Sequence, residues 1–250
     1  EIFLGAQDVA LKCRYSTFLC DTNYYMHVEK MHLENLLNRR VDGVIITTGL
    51  LDNNLVYAFL EEGIPVVLIE NFVDDPKIPA VVLDNYKYAK IAVKHLIDNG
   101  YRKIGYISAP VEEMHGLKER YNGYKAALKE NGVKLDKSLV YFSKTLRGEW
   151  DLLPNYMLIE SIMSKTNHPD ALFIISDTVA MVALQVIKKM GYIVPDDVGV
   201  VGFDDRRLCK YLDTPLTSVY QPKHEMGSKG MELLLKIIEG GEIEERNIYL

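Results

Sequence analysis

The run VGVVGFDD, residues 198–205, stops at a glycine and a phenylalanine and then presents two carboxylates, Asp204 and Asp205. Neighbouring carboxylates are the raw material of a metal site or an acid–base pair. Adjacent residues leaving a strand point in different directions, however, so the two do not share one proton or one ion without further ligands. Two other readings stay open for Asp204. It caps the short helix suggested by RRLCKYL, or it accepts hydrogen bonds from neighbouring ligand hydroxyls at the carboxyl end of a strand, where open α/β sheets place their sites. Trp150, the single tryptophan, stands in the polar stretch LRGEWDLLPN and is either a core plug or a flat platform for a ligand. Arg120, in KERYNGYKAAL, is either a solvated arginine or one turned toward a ligand. An acid, an arginine and an indole at successive strand ends suit a polyhydroxylated ligand, with its hydroxyls bound in pairs and its apolar ring face on the indole.

Other chemistries lack their residues. No G-x-G-x-x-G follows a strand, and no P-loop or G-x-S-x-G elbow is present. His27 and His32 lie five apart in HVEKMH, which on a helix separates them by about 140°, unlike the i, i+4 pair of a zinc protease. Cys13, Cys20 and Cys209 form no C-x-x-C and read as small apolar residues of a reducing compartment. No catalytic nucleophile, base and orienting group can be named together, so no enzyme, metal or cofactor is expected. A net charge of -6 and a pI near 5.6 argue against these 250 residues gripping a polyanion by themselves. No window reaches the ~18 apolar residues of a membrane span and no signal core is evident, so a cytoplasmic protein is expected.

The elements that must position these residues alternate along the whole chain. Helix EIFLGAQDVALKCR leads to a strand YSTFLC, helix MHVEKMHLENLLNRR to VDGVIITT, and NNLVYAFLEE to VVLIE. A strand ending at Asp84 is followed by a helix that closes at Gly100, with Asp84 as N-cap. RKIGYIS, SLVYF, PDALFIIS and VGVVGFDD are further strands separated by helices, so the chain is α/β with parallel sheets. PLTSVYQP then breaks the rhythm before a last helix and a strand at NIYL. Because the chain opens in a helix, a strand is expected ahead of it; without one, the sheet would expose a row of backbone groups.

Taken in order, VDGVIITT, GIPVVLIEN, the run from Val81 to Ser108, ERYNGYKAAL, the run from Pro169 to Asp205 and PLTSVYQP resemble the effector-binding domain of the lactose/galactose repressor family of bacterial transcription regulators. The resemblance implies a periplasmic-binding-protein-like fold: two doubly wound parallel-sheet lobes, three crossings and a cleft for a small effector. It places residues 1–100 with 222–240 in one lobe and residues 101–220 with 241–250 in the other. A helix-turn-helix DNA-binding domain and a first strand would precede them. It further implies that Arg120 reaches the effector's polar groups, Trp150 lies against its ring and Asp204 takes its hydroxyls, with Asp205 in support. Ser176 and Asp177 stand where many members carry Asn-Asp, and Asp84 and Gln221 are further candidates for the effector site. The function implied is a sensor that binds a sugar-like effector and alters operator binding as a homodimer. An extracytoplasmic sugar-binding protein for uptake is the alternative, since it shares the fold.

Overall fold

The computed structural model describes residues 1–23, 25–47, 53–110, 114–143 and 152–250, which form two compact units. Unit 1 comprises Glu1–Asp84 and Pro222–Leu250, and unit 2 comprises Asn85–Gln221.

Unit 1 is built from α1 (Ile2–Lys12), α2 (Met26–Asn38), β1 (Val44–Ile46), α3 (Asn53–Glu61), β2 (Val66–Ile69), β3 (Ala80–Val82) and two later elements, α8 (Lys223–Ile238) and β9 (Asn247–Tyr249). Its sheet runs β1-β2-β3-β9, with every pairing parallel. All four residues of β2 are buried, because successive side chains serve opposite covered faces. Val66 and Leu68 join Leu33, Val56 and Phe59 on the side of α2 and α3. Val67 and Ile69 join Ala6, Ala10, Met226 and Leu234 on the side of α1 and α8.

Helices α1 and α8 touch backbone to backbone. A Cβ on Gly5 would fall 1.9 Å from the His224 carbonyl oxygen, and one on Gly227 would fall 1.9 Å from that of Ile2. Alanine at 227 would gain about 1 kcal/mol of helix propensity, but the helices would have to separate along their whole contact. We therefore expect Gly227→Ala to be a net loss of about 2 kcal/mol, read as a thermal midpoint lowered by roughly 4–8 °C.

Unit 2 contains α4 (Asn85–Asp98), β4 (Ile104–Ser108), α5 (His115–Glu130), β5 (Val140–Phe142), α6 (Leu153–Met163), β6 (Ala171–Ile174), α7 (Asp177–Lys189), β7 (Gly199–Asp204) and β8 (Thr217–Tyr220). Its sheet order is β5-β4-β6-β7-β8, again parallel throughout. Ile107, Leu172, Ile174 and Val200 pack beneath α6 and α7. The opposite face carries aromatics, with the Tyr106 ring 5.0 Å from Tyr124 of α5 and 5.8 Å from Phe173. After β4 the chain turns to β5 on one side and then returns to β6 on the other. The carboxyl ends of β4 and β6 therefore form the sheet's switch point, where the connections diverge and leave room for a ligand.

Three expectations need correction. Helix α4 belongs to unit 2, because it packs on α5 through Gly123, where a Cβ would lie 2.3 Å from the Tyr86 carbonyl oxygen; the boundary is at Asp84–Asn85 and not near residue 100. The last strand belongs to unit 1, because β9 extends the sheet beside β3 through Ile248↔Val81. Within these residues the chain passes between the units at Asp84–Asn85 and at Gln221–Pro222. Finally, YSTFLC, residues 15–20, forms no strand, since no described neighbour pairs with it.

Candidate functional site

Ser176, Asp177, Asp204, Asp205 and Gln221 follow or end β6, β7 and β8 at their carboxyl ends, and the glycine of GFDD explains how two of them meet. Gly202 faces α7, where a Cβ would sit 2.2 Å from Oδ1 of Asp177; only hydrogen fits under that carboxylate. Phe203 points to the other face and is fully buried. Asp204 and Asp205 then take φ values of 123° and 46°. Two successive non-glycine residues at positive φ are costly, and such strain survives only where surrounding bonds impose it.

Asp177 imposes it. Its Oδ2 accepts the Arg206 backbone N–H at 2.7 Å and the Cys209 thiol at 3.2 Å, and its Oδ1 accepts the Ser218 hydroxyl at 2.6 Å. Ser218 Oγ in turn accepts the Asp205 N–H at 3.0 Å. One buried carboxylate at the first turn of α7 therefore holds the turn that presents Asp204. Burial pushes its pKa above the ordinary carboxylate value, the three donors pull it back, and the charge of Asp204 adds to the rise. The same environment pushes the Cys209 thiol up to about 12, first through burial and then through its bond to Asp177. Cys13 is exposed. Iodoacetamide at pH 8 is expected to alkylate Cys13 in the folded chain and to spare Cys209 until denaturant is added, which peptide mass mapping would read directly.

Arg120 reaches the same strand ends from α5. Its Nε donates to Asn85 Oδ1 at 2.7 Å and its Nη1 to the Ile175 carbonyl at 3.1 Å, while the guanidinium lies 3.7 Å from the centre of the Phe203 ring. The plane is thus fixed on three sides, by a helix start, a strand end and an aromatic face. Gly123 places Arg120 one turn earlier on a helix drawn close to α4, which gives the RYNG spacing its physical sense.

Asp204 Oδ2 stands 4.0 Å from Nε of Arg206, with its side chain 18% exposed. It does not begin the following 3₁₀ turn, Arg207–Tyr211, whose N-cap is Arg206. Ser176 is the N-cap of α7, yet its hydroxyl makes no cap hydrogen bond, and it is partly exposed beside Ile175. Gln221 follows Tyr220, the register partner of Asp204, and is buried. Asp84 belongs to unit 1, where its N–H donates to the Leu250 carbonyl at 3.3 Å. Trp150 lies outside the described residues.

Three participants escaped the sequence reading: Asn85, Ser218 and Phe203. Asn85 and Ser218 lie 35 and 41 residues from the groups they hold, so no local spacing announces them. Phe203 was visible as the residue before Asp204, but as a core aromatic rather than a seat for a cation.

Chemically, the site offers one acceptor-only carboxylate, one oriented guanidinium and a hydroxyl. Among the described residues, no group of three or more His, Cys, Asp or Glu side chains stands ready for a metal, and no helix is long and apolar enough to cross a membrane.

A family model described as a periplasmic binding protein-like domain matches residues 93–250. The HTH-type transcriptional regulator RegA of Clostridium saccharobutylicum is 30% identical over 250 residues, covering 100% of this chain and 74% of RegA. The transcription regulator CcpA of Lactococcus lactis superposes with a TM-score of 0.89 at 28% identity, over 100% of this chain and 89% of that structure. A complex of the transcriptional regulator CelR with cellobiose superposes with a TM-score of 0.87 at 28% identity, over 100% and 75% of the two chains. The chain belongs to the periplasmic binding protein-like family, and within it to the effector-binding domains of the lactose/galactose repressor (LacI/GalR) transcription regulators.

Proposed function

We propose that this domain senses a small neutral sugar at the carboxyl edge of the unit 2 sheet and passes the result to a DNA-binding unit elsewhere in the regulator. The reading is carried by the placement of Asp204 on a strained strand-end turn and of Arg120 over the preceding residue, Phe203. The carboxylate suits adjacent hydroxyls, and the guanidinium suits further hydroxyl or ring oxygens. Ser176 adds a hydroxyl that both donates and accepts, and Asp205 and Gln221 border the same edge. Asp177 acts as a positioning residue, since its oxygens are committed to the turn.

The net charge of -6 leaves phosphate contacts to other parts of the protein, and the relatives are regulators of the helix-turn-helix type. Operator DNA, a homodimer matching a two-fold operator and a cytoplasmic setting follow from that assignment. That the relatives are regulators argues against a role in uptake, and an effector with no turnover is the corresponding expectation. The CelR complex with cellobiose supports a sugar as ligand class. A ligand shifts operator affinity only by its differential affinity for the two functional states, about 1–3 kcal/mol in typical cases.

The test is thermal unfolding against sugars, sugar phosphates and purines. A ligand at 100 times its Kd stabilises by about 2.7 kcal/mol. A raised midpoint with one neutral sugar is the expected result. A response confined to phosphorylated or purine ligands, or none at all, overturns the sugar assignment.

A further inference from the structure

Tyr106 is a tyrosine where the packing asks only for a phenylalanine. Its ring fills the middle of the aromatic layer between the unit 2 sheet and α5, 5.0 Å from Tyr124, 5.2 Å from Tyr121 and 5.8 Å from Phe173. Phe173 is its register partner on β6 and does the same packing without a hydroxyl. Tyr124, in the same layer, donates its hydroxyl to the Ile104 carbonyl at 2.8 Å. The Tyr106 hydroxyl has no hydrogen-bond partner among the described residues, although its side chain is fully buried. Two residues further along β4, and so on the same face, Ser108 is also fully buried and its Oγ also lacks a partner. A buried polar atom left unpaired is costly, and native structures almost always supply a partner from protein or ordered water. Two such atoms on one face of one strand can be served by a single bridging group.

We propose that Tyr106 and Ser108 form a buried seat for one neutral oxygen that both donates and accepts a hydrogen bond, filled by water in the free protein and open to a sugar hydroxyl in the complex. The chemistry of the pair selects that occupant. Each hydroxyl donates once and also accepts, so the two together match a water or an alcohol. Among the described residues no His, Cys, Asp or Glu cluster accompanies them, as a metal ion would require. Burial pushes the Tyr106 pKa up to about 12, with Ser108 and the Arg120 charge pulling it back, so the phenol stays a neutral donor at physiological pH. The position is equally telling. Ser108 is the last residue of β4, at the switch point of the sheet. Arg120 Nη1 donates to the Ile175 carbonyl at 3.1 Å, and the Ile175 N–H donates to the Ile107 carbonyl at 3.1 Å, which brings the guanidinium to the strand ends beside Ser108. An oxygen seated there gives the ligand edge of unit 2 a polar floor under Arg120 where the neighbouring side chains are aromatic. The seat stands without the sugar assignment, and only the exchange of water for a sugar hydroxyl rests on it.

A crystal structure of the full regulator without sugar tests the seat directly. A water oxygen within about 3.2 Å of both Tyr106 Oη and Ser108 Oγ is the expected result. No oxygen there, or a hydrogen bond closed directly between the two hydroxyls, overturns the proposal. Substitution gives a second reading through its sign. In Tyr106→Phe the seated water loses a partner, so the midpoint of thermal unfolding should fall by about 2–4 °C. A raised midpoint would mean that the hydroxyl is unpaired and that the seat does not exist. Ser108→Ala should act in the same direction, and the double variant should lose less than the two single losses added, because both hydroxyls serve one oxygen. Strict additivity overturns that sharing. Calorimetry with the stabilising sugar then separates the two sources of the oxygen. Tyr106→Phe should weaken the sugar about tenfold where a sugar hydroxyl takes the seat, and by less than about threefold where the water keeps it. If no sugar binds, the unliganded structure and the midpoints still decide the seat.

Discussion

Asp204→Ala is expected to weaken the sugar that stabilises the wild-type domain by at least about a hundredfold, and Arg120→Ala by a similar factor. A carboxylate that accepts two ligand hydroxyls makes charge-assisted hydrogen bonds worth about 1.5–3 kcal/mol each, and 1.4 kcal/mol is tenfold in Kd. Losing both bonds therefore passes a hundredfold. The controls separate binding from folding. Asp204→Asn tolerates the positive φ of this residue and keeps the side-chain shape, so its midpoint without ligand should stay near wild type while affinity falls. Arg120→Ala also strips a donor from Asn85 and from the Ile175 carbonyl and uncovers Phe203, so a lower unliganded midpoint accompanies its binding defect. Arg120→Lys keeps the charge but not the planar fork and should recover little of the affinity. Isothermal titration calorimetry with the stabilising sugar reads all four. If Asp204→Ala binds within threefold of wild type, the ligand does not engage this strand end.

The residues that made the site legible in the sequence were those whose constraint is local. GFDD announced a strand that stops at a turn bearing two carboxylates, because a glycine, an aromatic and two aspartates succeed one another without a gap. The alternation of helix and strand gave the parallel α/β class for the same reason. What the sequence did not reveal depends on distant partners. The unit boundary at Asp84–Asn85 is set by α4 packing on α5 through Gly123, a contact between elements separated by a full strand. YSTFLC has strand composition, yet a strand exists only when an edge is paired, and composition carries no information about the neighbour. Asp177 was a candidate for the effector site through the resemblance alone, because Ser176 and Asp177 stand where many members carry Asn-Asp. Its actual partners, Ser218, Arg206 and Cys209, come from the segment after β7 and become neighbours only in the folded sheet.

Asp177 is also where stability and binding meet. Asp177→Ala is expected to cost about 3 kcal/mol, because it leaves the Arg206 N–H, the Ser218 hydroxyl and the Cys209 thiol without their common acceptor in a buried place. The midpoint should fall by roughly 6–12 °C. Asp177→Asn keeps the volume and one carbonyl oxygen and should recover part of this. Its comparison with the wild type carries a pH signature that mere packing would not produce. Burial holds the Asp177 pKa above its unfolded value, so ionisation burdens the folded state more than the unfolded one. The corresponding stability is fully present below the unfolded pKa, near 3.9, and is lost as pH rises through the higher folded value. Wild type should therefore gain on Asp177→Asn as pH is lowered from 7 toward about 4, the reverse of an aspartate stabilised by a cation. Denaturant titrations of both proteins across that range measure the difference. A constant gap would mean that the three donors fully offset the cost of burying the charge, while a gap of opposite slope would show the carboxylate to be stabilised as an anion. In either case a loss of sugar affinity in Asp177→Asn, measured where both proteins are fully folded, identifies the bonds to Arg206 and Ser218 as what keeps Asp204 aimed at its ligand.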